Sequence, residues 1–546
     1  MLNSEFSLLI KGLLNGPLQH APQQQIISDG LSSYSYVEFI ERLNRFGQLL
    51  ERFGVGQGDV VAIMDWDTHR YLESFFAVPM LGATLHTVNI RLSPSQIAYT
   101  IDHAEDDVIL FHVDFLPLLE DVMPQVKRDV RLIIMRDSPD IELPQTMLQI
   151  EAIFDELFLN TDPNFSFPDF DENIRATTFY TTGTTGDPKA VAYSHRQLVL
   201  HTMGILATLG PMSASNRFHN RDVYMPITPM FHVHAWGFPY AATMLGLKQI
   251  YPGRYVPNRL MELVSEHKVT FSHCVPTILH MLLDCEATAS ADLSNWKVII
   301  GGSALPRGLA ERALARGINL FSAYGLSETC PFLTVAHLDP NDEGRIDARL
   351  KTGQPAAMVE IRVVDEAMND VPRDGKTVGE IVARAPWLTK AYLKDEAATA
   401  ALWHGGYMHT GDVGRFDEEG SLIITDRVKD VIKSGGEWVS SLTLENIAST
   451  VPGVAEVAAI GIPDLLWGER PILLVVQDNP NKPAASDQKN AIQKMIKMAF
   501  KEASDAGVIS KWAAPDRIDM VDDIAKTSVG KIDKKRLRAQ IIEAEI

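Results

Sequence analysis

Residues 180–189 of this chain read Tyr180-Thr-Thr-Gly-Thr-Thr-Gly-Asp-Pro-Lys189, a loop rich in hydroxyl groups that ends in one lysine. The stretches on either side, Arg175 to Tyr180 and Ala190 to Tyr193, have the composition of β-strands, so we expect two rigid elements to hold the loop. Its glycines let the backbone approach a ligand closely, and its hydroxyl and N–H groups suit anionic oxygens. The stretch therefore predicts a polyphosphate-binding loop rather than an ordinary polar turn.

The loop differs from the Walker sequence of P-loop nucleotide hydrolases. That pattern has glycine directly before the lysine and Ser or Thr directly after it. Here Pro188 precedes Lys189 and Ala190 follows it. A kinase or GTPase function therefore loses its main support.

Helical and strand-like segments alternate along the first part of the chain. Apolar residues at helical spacing are followed each time by a short apolar run, in the pairs Tyr36–Phe53 and Val60–Met64, Tyr71–Met80 and Thr84–Val88, and Pro94–His103 and Asp107–Phe111. This alternation predicts an α/β fold, with a large N-terminal domain of doubly wound sheets. The short alternating strands Val359–Val364 and Gly379–Ala383 predict an added β-rich subdomain. The end of the chain has the pattern of a small α+β domain.

Composition narrows the class of protein. The 546 residues include 70 acidic and 50 basic ones, and the formal charge of −20 at pH 7 disfavours general nucleic-acid binding. No apolar run is long enough to span a membrane, and the N-terminal residues lack the pattern of a secretory signal, so we expect a cytoplasmic protein. Its three cysteines have no spacing typical of a disulfide framework or a zinc site. Near the end, Lys534, Lys535, Arg536 and Arg538 have the pattern of a solvated basic helix face.

Seven further motifs follow the loop along the chain: Pro229-Met-Phe-His232, Gly301-Gly-Ser-Ala304, Tyr324-Gly-Leu-Ser-Glu-Thr329, Thr410-Gly-Asp412, Asp426-Arg-Val-Lys-Asp430, Lys433-Ser-Gly-Gly-Glu-Trp438 and Ser528-Val-Gly-Lys531. Together with the loop, they resemble the motifs of the adenylate-forming enzymes, in the order found there. This superfamily includes acyl-CoA synthetases, luciferases and peptide-synthetase adenylation domains. The segment Met230–Tyr240 looks most like medium- and long-chain fatty acyl-CoA synthetases.

The resemblance implies a domain plan and a reaction. Residues 1–426 would form the large adenylation domain, 427–430 the hinge, and 431–546 a small mobile C-terminal domain. An acid would first react with ATP to form an acyl-AMP and pyrophosphate. CoA would then displace AMP to give the thioester. The small-molecule partners are therefore a carboxylic acid, ATP and CoA, with Mg²⁺ as cofactor, and no nucleic acid.

Site residues are carried over from the matching motifs. The resemblance assigns ATP and AMP binding to Thr181, Thr182, Gly183, Thr184, Thr185, Gly186, Lys189, Gly302, Ser303, Ala304, Ala323, Tyr324, Gly325, Ser327, Asp412, Arg427 and Lys429. Within this set Asp412 suits the ribose hydroxyls, Tyr324 offers a ring face to adenine, and Lys429 matches the hinge pivot. Thr184 and Glu328 would contact Mg²⁺.

The remaining roles concern catalysis, CoA and the acyl group. Lys531, which would bridge the carboxylate and the α-phosphate, is assigned a catalytic role together with His232 and Lys433. CoA binding falls to Ser434, Gly435, Gly436 and Trp438, and acyl binding to Trp236, Val275 and Cys330. Trp236 matches a residue that gates an apolar acyl tunnel in similar enzymes.

Several alternatives stay open at this point. The acid could be short, aromatic or a thioether instead of a medium- or long-chain fatty acid, since Cys274 and Cys330 depart from similar fatty-acid enzymes. A luciferase-like oxidase shares the nucleotide motifs, and Ala190, where glycine is usual, raises the alternative of an inactive nucleotide-binding homologue. His232-Val-His234 has the spacing of two metal ligands on one strand face. A homodimer is open, because similar enzymes can be dimers.

Overall fold

Two mixed sheets with helices packed on them form the large domain. The computed structural model describes residues 6–181, 187–212, 216–338, 345–434, 437–478, 486–527 and 531–545. Within these ranges one sheet has nine strands, in the spatial order Gln354–Pro355, Thr334–Val335, Asn319–Tyr324, Lys297–Ile300, Phe271–Cys274, Val223–Tyr224, Lys248–Tyr251, Gln25–Ser28 and Ser32–Ser35. Its central strands, from Asn319–Tyr324 to Gln25–Ser28, run parallel.

The two strands that flank the predicted loop lie at one edge of the second sheet. Its strands in the described ranges are, in spatial order, Ile150–Ile153, Arg131–Met135, Val108–His112, Val60–Met64, Thr84–Thr87, Arg175–Thr181 and Lys189–Ser194. All neighbours are parallel except the last pair, in which Thr181 lies opposite Lys189 across an antiparallel ladder. The predicted α/β class with doubly wound sheets is confirmed.

Helices around these sheets begin at caps that can be read from the sequence. Ser35, Ser93 and Ser194 each form a capping box with the Glu or Gln three residues later. The longer helices of the large domain are Tyr36–Arg52, His69–Met80, Pro94–Ala104, His195–Leu209, Pro257–His267, Pro276–Asp284 and Arg307–Ala315. Shorter ones are Asn15–His20, Leu116–Val122, Phe154–Leu159, Phe238–Met244, Ile346–Leu350 and Glu396–Leu402. None of the described helices is long and apolar enough to cross a membrane.

A β-rich subdomain and a small C-terminal domain complete the fold. The described part of the subdomain contains strands Glu360–Val364, Gly379–Arg384, Trp403–His404, Tyr407–Phe416 and Leu422–Arg427. In the small domain the described strands are Ile432–Ser434, Glu437–Val439, Val454–Asp464, Gly468–Gln477 and Arg517–Met520, and the helices are Ser441–Ser449, Ser486–Asp505 and Lys534–Glu545. This arrangement confirms the predicted fold class. The exact domain boundaries stay predictions.

The basic residues of the last helix are not a purely solvated face. Lys534 Nζ lies 2.7 Å from Glu445 Oε1 and donates a hydrogen bond to Ser441, and both of these residues belong to helix Ser441–Ser449. Arg538 pairs with Asp430 at 2.9 Å. Because these partners lie far away in the sequence, charge spacing alone did not predict the pairs.

At Gly204, helix His195–Leu209 packs tightly against Trp387, which follows strand Gly379–Arg384 of the β-rich subdomain. A Cβ atom at this position would lie 2.6 Å from Trp387 Cη2. Trp387 is fully buried. The glycine therefore gives the indole ring its space, at the expense of helix propensity.

Replacing Gly204 by alanine should lower the free energy of unfolding by about 1–3 kcal/mol, because overpacking against a rigid buried ring outweighs better helix propensity. The urea midpoint of the large domain measures the effect. Gly12→Ala is the matched control, since its added methyl group would meet no atom within 4 Å. Equal midpoints for the two variants would contradict this account of Gly204.

Candidate active site

A cleft with a volume of about 1840 Å³ is lined by residues of both domains. On the large-domain side it lies at the carboxyl ends of the parallel strands Lys297–Ile300 and Asn319–Tyr324, where α/β sheets place their ligands. Lys531 and the helix Ser441–Ser449 enter it from the small domain. The cleft brings together these predicted residues: Thr181, Lys189, His232, Gly302, Ser303, Ala304, Ala323, Tyr324, Gly325, Ser327, Glu328, Asp412, Arg427, Lys429 and Lys531.

The structure does not place every predicted residue in the cleft. Thr182, Gly183, Thr184, Thr185, Gly186, Gly435 and Gly436 fall outside the described residues. Lys433 and Ser434, which are described, are not among the residues that line the cleft. Their strand is paired with Glu437–Val439, the strand that contains Trp438. In this arrangement the small domain presents Lys531 to the cleft and keeps the Lys433–Ser434 strand away from it.

The carboxylate of Asp412 is held by two groups at the floor of the cleft. Tyr324 Oη donates a hydrogen bond to Asp412 Oδ2 at 2.7 Å, and Arg427 Nε lies 3.2 Å from Asp412 Oδ1. The pairing of Asp412 with Arg427 across antiparallel strands brings these two side chains together. Burial raises the pKa of Asp412, and the Arg427 guanidinium opposes this shift. Asp412 is therefore a fixed hydrogen-bond acceptor with the Arg427 guanidinium beside it.

Glu328 and Lys189 are joined through a residue that the sequence analysis did not select. Tyr392 Oη donates a hydrogen bond to Glu328 Oε1 at 2.7 Å. Lys189 Nζ lies 4.8 Å from the centroid of the same ring. Tyr392 therefore orients the candidate metal ligand and supports Lys189, the lysine that ends the predicted phosphate loop.

The donor set near Glu328 fits a magnesium ion that shares its ligands with phosphate. Among the described residues no group of three or more His, Cys, Asp or Glu side chains could hold a metal by itself. Mg²⁺ is usually bound through one or two carboxylates, with phosphate and water oxygens completing the shell. One cleft-facing carboxylate matches that requirement.

Lys531 enters the cleft beside the turn that begins at Gly301. A Cβ atom at Gly302, which has φ +80°, would lie 3.2 Å from Lys531 Cε and 3.0 Å from Val275 Cγ1. The lysine therefore needs a residue without a side chain at this position. Burial and the neighbouring Arg427 guanidinium lower the pKa of Lys531 to about 8.

His232 lies where the cleft meets a smaller pocket and begins an unusual turn. Burial, with the Lys531 and Arg91 cations, lowers the pKa of His232 to about 3, so the ring is neutral near pH 7. The next four residues, Val233–Trp236, all have positive φ, between 47° and 59°. A left-handed conformation costs about 1–2 kcal/mol for each residue with a side chain. Tertiary contacts must therefore hold this turn.

Hydrogen bonds to the second sheet hold the residues just before the turn. The buried carboxylate of Asp67 accepts a hydrogen bond from Met230 N at 2.9 Å, and Thr87 Oγ1 donates to Phe231 O at 3.0 Å. Asp67 also accepts from Tyr255 Oη at 2.7 Å. These contacts fix the backbone directly before His232.

His232 and His234 have the spacing of two metal ligands on one strand face, but the backbone from Val233 to Trp236 is a left-handed turn and not a strand. His234 is fully buried, and its ring lies among four aromatic side chains at centroid distances of 5.3–6.3 Å: Phe75, Phe179, Tyr193 and Tyr240. The two histidines therefore do not present a common metal face.

A pocket of about 40 Å³ opens beside His232 and Lys531 and is otherwise mainly apolar. Val233, Trp236, Phe238, Ile299, Pro331 and Phe332 are among its lining residues. Trp236 packs on the buried ring of His273 at a centroid distance of 5.1 Å. His273 is held in turn by the hydroxyls of Tyr224, at 2.8 Å, and Thr228, at 3.0 Å. Cys330 is fully buried and does not line the pocket.

Sequence reasoning missed Asp67, His273 and Tyr392. Each acts on a motif residue from a different element, more than thirty positions away in the chain. No periodicity or motif marks them. Only the polar side chain of Asp67, three residues after the buried strand Val60–Met64, was a usable signal.

The chain matches two family models. Residues 17–393 match the family described as AMP-binding enzyme, and residues 443–531 match the AMP-binding enzyme C-terminal domain. The chain is 40% identical over 514 residues to a long-chain-fatty-acid–CoA ligase of Thermus thermophilus, covering 93% of this chain and 90% of the relative. It is 35% identical to a 3-methylmercaptopropionyl-CoA ligase of Ruegeria pomeroyi, covering 98% and 97%. A crystal structure of an anthranilate CoA ligase in complex with anthranoyl-AMP has the same fold, with a TM-score of 0.85, 21% identity and full coverage of both chains.

Lys531 should titrate near pH 8 in the free protein. It is charged below this pKa and neutral above it. Its reaction with an acylating reagent, which requires the neutral amine, should therefore rise with a midpoint near pH 8. Competitive labelling with peptide mass spectrometry measures this midpoint, and the exposed Lys497 is the internal reference. Identical labelling profiles for the two lysines would contradict the environment described for Lys531.

Proposed function

This chain belongs to the AMP-binding enzyme family, and we propose that it is an AMP-forming acid–thiol ligase. Its substrates are ATP, CoA and a medium- or long-chain fatty acid, and an acyl-AMP is the intermediate. The observation that carries this proposal is the convergence of Lys531, from the small domain, with Asp412 and Glu328 in one cleft. A binding protein without catalysis would have no need for a cation delivered from a second domain.

In the first step two anions must meet. A carboxylate oxygen attacks the α-phosphorus of ATP, a P–O bond forms, and the bond to pyrophosphate breaks. Negative charge builds up around the phosphorus, so cations placed there in advance lower the barrier. Lys189, Arg427, Lys429 and Lys531 all line the cleft and supply this positive charge locally, in a protein with a net charge of −20.

Recognition of the nucleotide follows from the same residues. Asp412 accepts hydrogen bonds from the ribose hydroxyls, and Arg427, which pairs with it, reaches the ribose side of the nucleotide. The ring of Tyr324 faces adenine while its hydroxyl stays on Asp412. Glu328 would hold a magnesium ion, which would neutralise charge on the phosphates.

In the second step CoA attacks the acyl-AMP. The thiol sulfur forms a bond to the acyl carbon, the bond to the AMP oxygen breaks, and the thiol proton is released. Ser434, Gly435, Gly436 and Trp438 are the proposed CoA contacts, and Lys433 beside them is assigned a catalytic role. Since Lys433 and Ser434 do not line the cleft in this arrangement, the small domain must turn about residues 427–430 between the two steps.

Support for the fatty acid comes from the apolar pocket beside His232 and from the 40% identical relative. His232 is neutral, so it adds no charge beside the carboxylate and can hydrogen-bond to it. A second candidate is a short or thioether acid. The pocket, about 40 Å³ with Trp236 in its present position, and the relative named as a 3-methylmercaptopropionyl-CoA ligase favour this alternative.

The function is tested by acid-dependent AMP release with ATP, Mg²⁺ and CoA. The acids are a series of short, medium and long fatty acids, aryl acids and thioether acids. We expect the highest kcat/KM for a fatty acid of medium or long chain. A maximum at 3-methylthiopropionate or another short acid would establish the second candidate, and a folded protein inactive with every acid would overturn the enzyme assignment.

Lys531→Ala should abolish acyl-AMP formation and leave thioester formation from supplied acyl-AMP largely intact, because this lysine faces the cleft in the first step only. Pyrophosphate release without CoA measures the first step, and thioester release measures the second. Lys497→Ala, at an exposed position, is the matched control. Equal loss of both steps would contradict the role given to Lys531.

Trp236→Ala should change the preferred acyl length while the KM for ATP stays within about twofold, since a packed aromatic wall is removed and no nucleotide contact is lost. The acid series above, repeated with the variant, measures this change. Trp512→Ala, which removes a half-exposed tryptophan of the small domain, is the control. An unchanged length profile would place the limit on chain length at another residue.

A further inference from the structure

At Gly308, in helix Arg307–Ala315 of the large domain, the small domain approaches so closely that no side chain fits between them. A Cβ atom at Gly308 would lie 2.3 Å from the carbonyl oxygen of Ser449 and 3.1 Å from its carbonyl carbon. Ser449 is the last residue of helix Ser441–Ser449 in the small domain. Gly308 does not have the positive φ that would require a glycine for its own backbone. The contact between domains is therefore the reason that this position excludes a methyl group.

Each of the two helices is fixed within its own domain. In helix Arg307–Ala315, Leu309, Ala310 and Ala313 are buried in the large-domain core, and Arg307 and Arg312 pair with Asp347 and Asp284. In helix Ser441–Ser449, Leu444 and Ala448 belong to the core of the small domain. A group added at Gly308 thus cannot be accommodated by a local shift, and the domains would have to separate.

The ends of the helices also complement each other electrically. The carbonyl end of helix Ser441–Ser449 meets the N–H end of helix Arg307–Ala315, so partial charges of opposite sign face each other. The N-cap of helix Arg307–Ala315 is Pro306, whose side chain accepts no hydrogen bond from the N–H groups at the helix start. The contact stabilises this arrangement of the domains.

Only a few residues connect the contact between Gly308 and Ser449 with Lys531. Glu445, in helix Ser441–Ser449, pairs with Lys534 at 2.7 Å, three residues after Lys531. On the other side, Gly308 lies six residues after Gly302, the glycine against which Lys531 packs. A displacement of Ser449 away from Gly308 would therefore carry Lys531 away from the cleft.

We infer that Gly308 is a positioning residue for the first half-reaction, because it lets the small domain dock with Lys531 in the cleft. The inference rests on the proposed function, in which acyl-AMP formation requires this docked arrangement and thioester formation requires another. Gly308 does not touch the substrates in this role. It acts through the close approach of Ser449.

The test uses Gly308→Ala in the full chain. We expect acyl-AMP formation, measured as acid-dependent pyrophosphate release without CoA, to fall about tenfold, since overpacking against a backbone carbonyl disfavours the docked arrangement. Thioester formation from supplied acyl-AMP should change by less than about twofold, because it does not use this contact. The melting temperature should stay equal or rise, because alanine in a helix is favoured over glycine.

The matched control is Gly56→Ala, which also adds one methyl group to a glycine of ordinary φ and would meet no atom within 4 Å. It should leave both half-reactions unchanged. A larger side chain, in Gly308→Val, should deepen the loss in the first step. Unchanged pyrophosphate release in Gly308→Ala, or an equal fall of both half-reactions, would overturn the role of Gly308.

A second readout separates this inference from the proposed function. Small-angle X-ray scattering of the ATP-bound protein reports the domain arrangement without requiring turnover. Gly308→Ala should have a larger radius of gyration than the wild type and Gly56→Ala. If the wild type forms no acyl-AMP with any acid, the proposed reaction fails, and an unchanged radius in Gly308→Ala would then reject the docking role independently.

Discussion

The placement of the Lys531 ammonium group against the Gly302 turn is the interaction on which the arrangement of this molecule depends. A cation must leave water to reach this position, and the lowered pKa of about 8 reflects that cost together with the nearby Arg427. The Asp412 and Glu328 carboxylates oppose the shift. The protein thus concentrates positive charge in one cleft while its surface as a whole is acidic.

Rigid elements in both domains fix the position of Lys531. In the large domain, the turn from Gly301 follows a buried parallel strand, Lys297–Ile300, and leads directly into the helix Arg307–Ala315. In the small domain, the Glu445–Lys534 ion pair links helix Ser441–Ser449 to the segment that carries Lys531. Glycines at the points of approach remove the side chains that would separate the two domains. Close packing at Gly302 therefore sets the position of Lys531 in the cleft, and the surrounding charges contribute as well.

The pocket beside His232 depends on a different constraint. Four residues with side chains hold the left-handed conformation at Val233–Trp236, and each of them costs conformational energy. The hydrogen bonds from Met230 to Asp67 and from Thr87 to Phe231, and the packing of Trp236 on His273, offset this strain. Strain held by surrounding contacts is typical of sites where a side chain must be aimed at a ligand. Here the turn aims Trp236 at the pocket beside His232.

By itself, the sequence determined the α/β class and the positions of the main helices and strands, and its motifs predicted residues that the structure brings together in one cleft. Caps such as Ser35 and the apolar periodicity are local signals, and the motifs are short stretches whose chemistry depends on neighbouring residues. Only the tertiary structure decided how Tyr392, His273 and Asp67 support those motifs, and why Gly308 is a glycine. It also placed a left-handed turn at Val233–Trp236, which the spacing of His232 and His234 did not indicate. These features arise from contacts between residues far apart in the chain, and such contacts leave no periodic or local trace in the sequence.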